Sequence, residues 1–347
     1  MRILINTMHE DMHADAVSHV LTARGHCVDI VRNRDFPRQS RLTYAIGGER
    51  GELRIDTDGT SVDLWSACDV VWNRRDERPT PPTDLPEDDQ PFVRQELLAA
   101  QAAMWAMTGR DALWINSVEG ALRASHKPLQ LALAVELGLA IPETLIGNDP
   151  RRVREFVAER GDGCIYKPFY SGQWEVNNRL LMVYTSVVRS ADLPGDAMLQ
   201  ACPGIYQRLV RKRSEVRATF MGASHIAIEI DSQSTERGQV DWRQAQMGEP
   251  LPAKPIVLPD AVAARCRAMM ARLGIVFGCF DFIIDEDGRY VFLEVNEAGQ
   301  FLFLEVWCPE LPVLDMFCEF VASADPAFVY RPSASPVRFA ECMPANV

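Results

Sequence analysis

The chain has 347 residues, 47% of them hydrophobic and 24% charged, which at roughly 150 residues per domain makes about two domains and excludes a mini-protein scaffold. With 21 glycines and 22 prolines the composition is that of a globular protein, not of a disordered or fibrous one. Its 36 basic residues are outnumbered by 48 acidic ones, a net charge of −12, so neither nucleic acid nor an anionic membrane is expected as a partner.

Nine cysteines, at 27, 68, 164, 202, 266, 279, 308, 318 and 342, are odd in number and include no C-x-x-C. That is neither a disulfide framework nor a zinc knuckle. The apolar start MRILIN is too short for a signal-peptide core, and no run of about 18 apolar residues occurs. A reducing cytoplasm is the expected compartment.

In chain order, Arg2 to Asn6 reads as a strand, Ala14, Val17 and Leu21 as one face of a helix ending at Gly25, and Cys27 to Val31 as a second strand. This β-α-β opening predicts a parallel α/β sheet. It carries no G-x-G-x-x-G and no phosphate-binding G-x-x-x-x-G-K-[ST]. A strand from Asp69 to Trp72 leads into Asn73-Arg74-Arg75 and an extended connection, Pro79 to Pro91. Helices are expected at Phe92 to Gly109 and Lys127 to Gly138. An alternating region follows, with a helix at Pro150 to Arg160. Its strands are Leu145–Ile146, Cys164–Lys167, Leu180–Tyr184, Met198–Ala201, Tyr206–Val210, Val216–Met221 and His225–Ile230. After a helix at Asp260 to Leu273 come two very apolar strands, Phe280–Ile284 and Tyr290–Val295, joined by the hairpin signal Asp285-Glu286-Asp287-Gly288. A last helix, Leu311 to Val321, precedes an irregular Pro/Ser/Ala tail.

One loud motif is discounted. His9-Glu10-Asp11-Met12-His13 followed by His19 matches a zinc-protease signature except that Ala16 replaces its glycine. Only one strand precedes it, and His9 falls in a turn, so these histidines read as loop and helix-surface residues. A better-founded set is Asp281 with Glu294 and Asn296. Two hairpin-paired strands bring them together, and period 2 places Glu294 and Asn296 on one face. Oxygen donors without histidine or cysteine suit Mg²⁺ bridging phosphates. Lys127 opens a helix and Lys167 ends a strand. Both suit phosphate, although either alone also reads as a surface lysine. Arg217, on a strand, and Arg243 suit developing phosphoryl charge.

The order Lys127, Lys167-Pro168, Gln207-x-Leu209, Glu215-Val216-Arg217, Asp281-Phe282, Glu294-Val295-Asn296 and Gly299 resembles the ATP-grasp superfamily. Within it four segments are similar to the microviridin-type peptide ligases, or graspetide synthetases. They are Val71-Trp72-Asn73-Arg74-Arg75, Trp114-Ile115-Asn116, Ile230 to Gln233 with Asp241-Trp242-Arg243, and Gly299 to Glu305. Two departures stand out. Glu297 occupies the place of an expected proline, and the glycine-rich loop after Lys167 is short.

The resemblance implies an ATP-grasp fold of α/β and α+β parts. An N-terminal pre-ATP-grasp α/β domain would span 1–115, a central subdomain 116–206, a C-terminal subdomain 207–325 and an irregular tail 326–347. It further implies ATP and Mg²⁺ as cofactors. Lys127 and Lys167 would hold the phosphates, Gln207 to Leu209 the adenine, Glu215 the ribose, and Asp281, Glu294 and Asn296 the metal. Arg217 and Arg243 would act catalytically at the γ-phosphate and substrate carboxylate, and Arg74 and Arg75 would contact the substrate. The implied reaction is ATP-dependent closure of ω-ester or ω-amide crosslinks in a ribosomal precursor peptide, leader plus core, through an acyl phosphate. A ligase for free amino acids or other small molecules is the alternative, and a nucleotide-binding regulatory module without turnover is another. A homodimer is left open.

Overall fold

The computed structural model describes residues 1–47, 51–57, 59–161, 163–169, 173–176, 179–182, 185–235, 242 and 251–342. The chain opens with β1 (Arg2–Thr7), α1 (Met12–Ala23) and β2 (Cys27–Arg32). All of β1 beyond Arg2 is buried, as a strand covered on both faces must be. After β3 (Ser40–Ala45), β4 (Glu52–Thr57) and β5 (Thr60–Asp63) come β6 (Val70–Asn73), α2 (Gln90–Met107) and β7 (Leu113–Ile115). The parallel sheet has the order β2-β1-β6-β7, as the β-α-β reading predicts. Strands β3, β4 and β5 form a separate antiparallel sheet that the sequence reading passed over.

Next come α3 (Val118–Ser125), α4 (Lys127–Glu136), β8 (Thr144–Gly147), α5 (Pro150–Arg160), β9 (Cys164–Lys167), β10 (Gln173–Val176), β11 (Arg179–Met182), β12 (Ser186–Val187), α6 (Asp196–Ala201) and β13 (Gly204–Arg208). Strands β12-β9-β13-β8 make one antiparallel sheet. One expectation fails here, because Met198 to Ala201 belongs to α6 and is not a strand. Only Leu199 of that helix is buried, and so short an apolar run carries no period by which to separate helix from strand.

The remainder comprises β14 (Lys212–Met221), β15 (Ser224–Ile230), β16 (Ala253–Ile256), α7 (Asp260–Leu273), β17 (Phe277–Asp285), β18 (Tyr290–Asn296), α8 (Phe303–Trp307), α9 (Val313–Ser323) and α10 (Phe339–Cys342). A five-stranded antiparallel sheet runs β16-β15-β14-β17-β18. Every residue of β17 is buried, and Phe280, Phe282 and Phe292 join α4 and α7 in one core. The tail 326–338 has no helix or strand, yet it is docked. Phe328 and Phe339 are buried, and Glu305 accepts the Phe339 amide at 2.7 Å.

Gln130 explains how α4 is set against the edge strand β18. Its Oε1 accepts the Val295 amide at 2.9 Å and its Nε2 donates to the Val295 carbonyl at 2.9 Å, so one buried side chain stands in for a neighbouring strand. Gln130→Leu strands both backbone groups, at about 1–3 kcal/mol each. A drop of roughly 5 °C or more in melting midpoint is the expected calorimetric result. An unchanged midpoint would remove Gln130 from this role.

Candidate active site

Three strands place the polar residues in one transverse row. Arg217 of β14 pairs with Asp281 of β17, and Asp281 pairs with Glu294 of β18. Directly opposed residues of antiparallel strands share a face, so the three side chains stand side by side. Asn296, two residues past Glu294, joins them, its Nδ2 donating to Asp281 Oδ2 at 3.0 Å. Arg217 grips both Asp281 oxygens through Nη1, at 2.9 and 2.8 Å, and donates from Nη2 to the Gln300 carbonyl at 2.9 Å. Burial works against the guanidinium charge, but the Asp281 carboxylate outweighs it and holds Arg217 above its ordinary pKa. Its Nε–H is buried with no acceptor among the described residues.

Asp281 and Glu294 of this row line a cleft of about 580 Å³ between the sheets β12-β9-β13-β8 and β16-β15-β14-β17-β18. Ile165, Leu209 and Val210 form one apolar wall, Ile283 and Leu293 the other, and Lys167, Glu215, Asp281 and Glu294 the polar end. Lys127, at the start of α4, reaches to within 3.9 Å of Glu294 and donates to the Pro168 carbonyl at 3.2 Å. Glu215 is buried and paired with Lys212 at 2.6 Å. Gln207 is buried opposite Ile165, on the cleft side of β13. Its Nε2 donates to Thr144 at 3.0 Å, while its Oε1 has no donor among the described residues. The Arg208 and Leu209 amides are already given to the Glu143 and Gly163 carbonyls. Val210 is thus the first residue of this stretch whose amide takes no backbone acceptor among the described residues.

Across Asp281 and Trp242 lies a second chamber of about 670 Å³, lined by Arg75, Arg217, Asn296, Glu297 and Phe303. Burial raises the Glu297 carboxyl pKa, which Arg75 counteracts and Glu294 reinforces. The two candidate substrate arginines separate here. Arg75 faces the chamber, whereas Arg74 is 2% exposed and sits behind its wall, 3.2 Å from Asp11. Arg243, and the segment 170–172 after Lys167, lie outside the described residues.

His13 corrects an expectation. It is not a helix-surface residue but is 6% exposed, its Nε2 accepting the Phe301 and Leu302 amides at 3.1 and 3.3 Å. An Nε2 used as acceptor requires the neutral ring with its proton on Nδ1, which faces Asp11 at 3.6 Å. Burial lowers the His13 pKa to about 4, with Arg74 and Arg75 acting the same way against Asp11. No group of three or more His, Cys, Asp or Glu side chains among the described residues is placed to hold a metal. Asn116, quoted only as part of a motif, proves to be a junction. Its Nδ2 donates to the Phe277 and Glu297 carbonyls, and its Oδ1 accepts the Val276 and Phe277 amides. A polar residue directly after an apolar strand was the available signal.

Two sheets closing on a cleft with lysines and a carboxylate row at its polar end, behind an α/β domain, define the ATP-grasp class of ligase. The chain has the fold of the ATP-grasp ligases that act on ribosomally made peptides. It is similar to the macrocyclase MdnC of Microcystis aeruginosa, solved with its precursor peptide MdnA, at 26% identity and TM-score 0.81 over 93% of this chain and 100% of that one. The macrocyclase MdnB of the same organism is 26% identical, with TM-score 0.77 over 92% of this chain and 98% of that one. A RiPP-associated ATP-grasp ligase of Chryseobacterium gregarium, in complex with ADP and a leader and core peptide, shares the fold at 22% identity and TM-score 0.81, covering 93% and 95%. No protein-family model and no curated protein matches the chain. Among the described residues no helix is long and apolar enough to cross a membrane.

Proposed function

We propose that this chain is an ADP-forming ATP-dependent ligase that crosslinks side chains of a ribosomal precursor peptide. One observation carries the reading: Asp281 and Trp242 line both chambers, so a phosphoryl donor in one meets a carboxylate acceptor in the other. The fit to ATP rests on unsatisfied groups. The buried Oε1 of Gln207 lacks a donor such as an adenine amino group would supply, and the buried Nε–H of Arg217 lacks an acceptor such as a phosphoryl or carboxylate oxygen would supply. Asp281, Glu294 and Asn296 offer only hard oxygen ligands once the Asn296 amide nitrogen is turned to Asp281, the donor set for Mg²⁺. Bound there, Mg²⁺ would neutralise phosphate charge.

The protein's own part is positioning. Lys127 and Lys167 hold the phosphates, and Arg75 draws a peptide Asp or Glu carboxylate into the second chamber. Arg217 lines the second chamber and holds Asp281, which borders both chambers, and Arg243 is assigned beside it from its place in the sequence. The carboxylate oxygen takes the terminal phosphoryl group and ADP leaves. A Ser/Thr hydroxyl or Lys amine of the same peptide then attacks the acyl carbon, losing its proton as phosphate departs. Each ring therefore removes one water from the peptide. Mass spectrometry of a Thr- and Glu/Asp-rich precursor peptide, after incubation with the enzyme and Mg·ATP, should show water losses matched one to one by ADP. ADP formed with free amino acids joined and the peptide unchanged would favour the small-molecule ligase, and no ADP under any condition would favour the regulatory module.

A further inference from the structure

Residues 298–302 belong to no helix or strand, and the first three of them line the second chamber, so no ladder sets their path. We propose that Asp11, His13 and Arg74 of the N-terminal domain are positioning residues for the ligase reaction, fixing this loop and through it the guanidinium of Arg217. The proposal rests on the ligase reading above.

Five consecutive residues of the loop are held by side chains from elsewhere. Arg74 Nη1 donates to the Ala298 carbonyl and, at 3.4 Å, to that of Gly299, and Arg75 Nη1 donates to Ala298 at 2.7 Å. Arg217 takes the Gln300 carbonyl, and His13 takes the next two amides. Asp11 links the two holders. It caps α1 by accepting the His13 amide at 3.1 Å, faces His13 Nδ1, stands 3.2 Å from Arg74 Nε and accepts the Thr7 hydroxyl at 2.8 Å.

The loop also touches the guanidinium with no slack. A Cβ added at Gly299 would lie 2.7 Å from Arg217 Nη2 and 2.7 Å from Cys279 Cβ. Any shift of the loop toward β14 therefore displaces Arg217. An apolar side chain at position 13 could still pack against Phe301, whose ring lies edge-on to His13 at 4.9 Å, but it could not accept two amides. Packing and positioning are thus separable by substitution.

The test compares His13→Leu, His13→Gln and Asp11→Asn in the full chain. It measures ADP formation from Mg·ATP with a Thr- and Glu/Asp-rich precursor peptide, Mg·AMPPNP affinity by calorimetry, and hydrogen exchange at Phe301 and Leu302. His13→Leu should lower kcat by about 10–100-fold, as misplacement of a reacting group does, and leave nucleotide affinity within about threefold, since the adenine walls lie across Asp281. Exchange at both amides should quicken. His13→Gln, which restores an acceptor, should recover most of kcat and the protection. Asp11→Asn keeps the cap but drops the charge, and should lower kcat in the same direction by about 3–10-fold; it decides the matter if His13→Leu does not fold. Wild-type kcat and exchange in Asp11→Asn, or a His13→Gln protein with recovered stability and unrecovered kcat, would overturn the proposal. A wild-type enzyme that makes no ADP would instead sink the ligase reading, and the exchange data would still report on the loop.

Discussion

Glu294→Gln is expected to bring ADP formation close to zero in a protein that still folds. Glu294 ends the Arg217–Asp281–Glu294 row on the edge strand β18 and is only partly buried, its side chain 13% exposed. Its contact with Lys127, at 3.9 Å and with that lysine 22% exposed, is worth little to the fold, because partly solvated pairs contribute at most about 1 kcal/mol. On the proposed reading its value lies in the charge it brings to the metal set. Asp281 already shares both oxygens with Arg217, and Glu294 sets a second carboxylate directly beside it. Glutamine keeps the shape and removes that charge. A bridging cation supplies several kcal/mol of charge stabilisation, so its loss predicts a fall in turnover of about 10³-fold or more. Turnover within about threefold of wild type, measured as ADP release at saturating Mg²⁺, would remove Glu294 from the metal set.

What the sequence made legible follows from how local each determinant is. Helix α7 spans Asp260–Leu273 as read, because a strong apolar period ends at Gly274, whose φ of +75° suits a helix stop. Strand β9 also matches, and the β17–β18 hairpin was announced by its turn residues. The small sheet β3-β4-β5 was equally legible in principle, since Leu53 and Ile55 alternate with polar neighbours and Gly59 at +82° closes the turn.

The site divides along the same line. Arg217, Asp281, Glu294 and Asn296 fall into one row because strand period and hairpin register are local rules. The difference between Arg74 and Arg75 is not local. It depends on Asp11 on one side and the 298–299 carbonyls on the other, contacts 224 residues away in the case of Ala298. His13 was misjudged for the same reason, its partner Phe301 lying 288 residues on. A motif read by spacing alone cannot tell a histidine aimed at solvent from one aimed at a distant backbone. In this fold residues around the N-terminal sheet β2-β1-β6-β7 supply an acceptor and cations to the 298–302 loop, so the second chamber gains its wall only when the two ends of the sequence are packed together.

Arg217→Lys is the sharper test of the chemistry, because it keeps the charge and removes only the fork. The native guanidinium satisfies three acceptors at once, both oxygens of Asp281 and the Gln300 carbonyl, and still has Nε–H in reserve. An ammonium can neutralise Asp281 but cannot grip it in a plane while presenting a further N–H to a third group. Full truncation would confuse the result, since leaving Asp281 buried without its partner costs about 3–5 kcal/mol in stability. With lysine the fold should largely survive. If the reserved donor meets charge that develops during phosphoryl transfer, kcat should fall by about 10²–10³-fold. Mg·AMPPNP affinity should change by less than about tenfold, because on the proposed reading Lys127, Lys167 and the apolar walls still hold the nucleotide. Equal losses in both quantities would place Arg217 in ground-state nucleotide binding. Near-normal kcat would reduce it to a counterion for Asp281, and the phosphoryl group would then need a different donor in the same chamber, of which Arg75 is the described cation best placed.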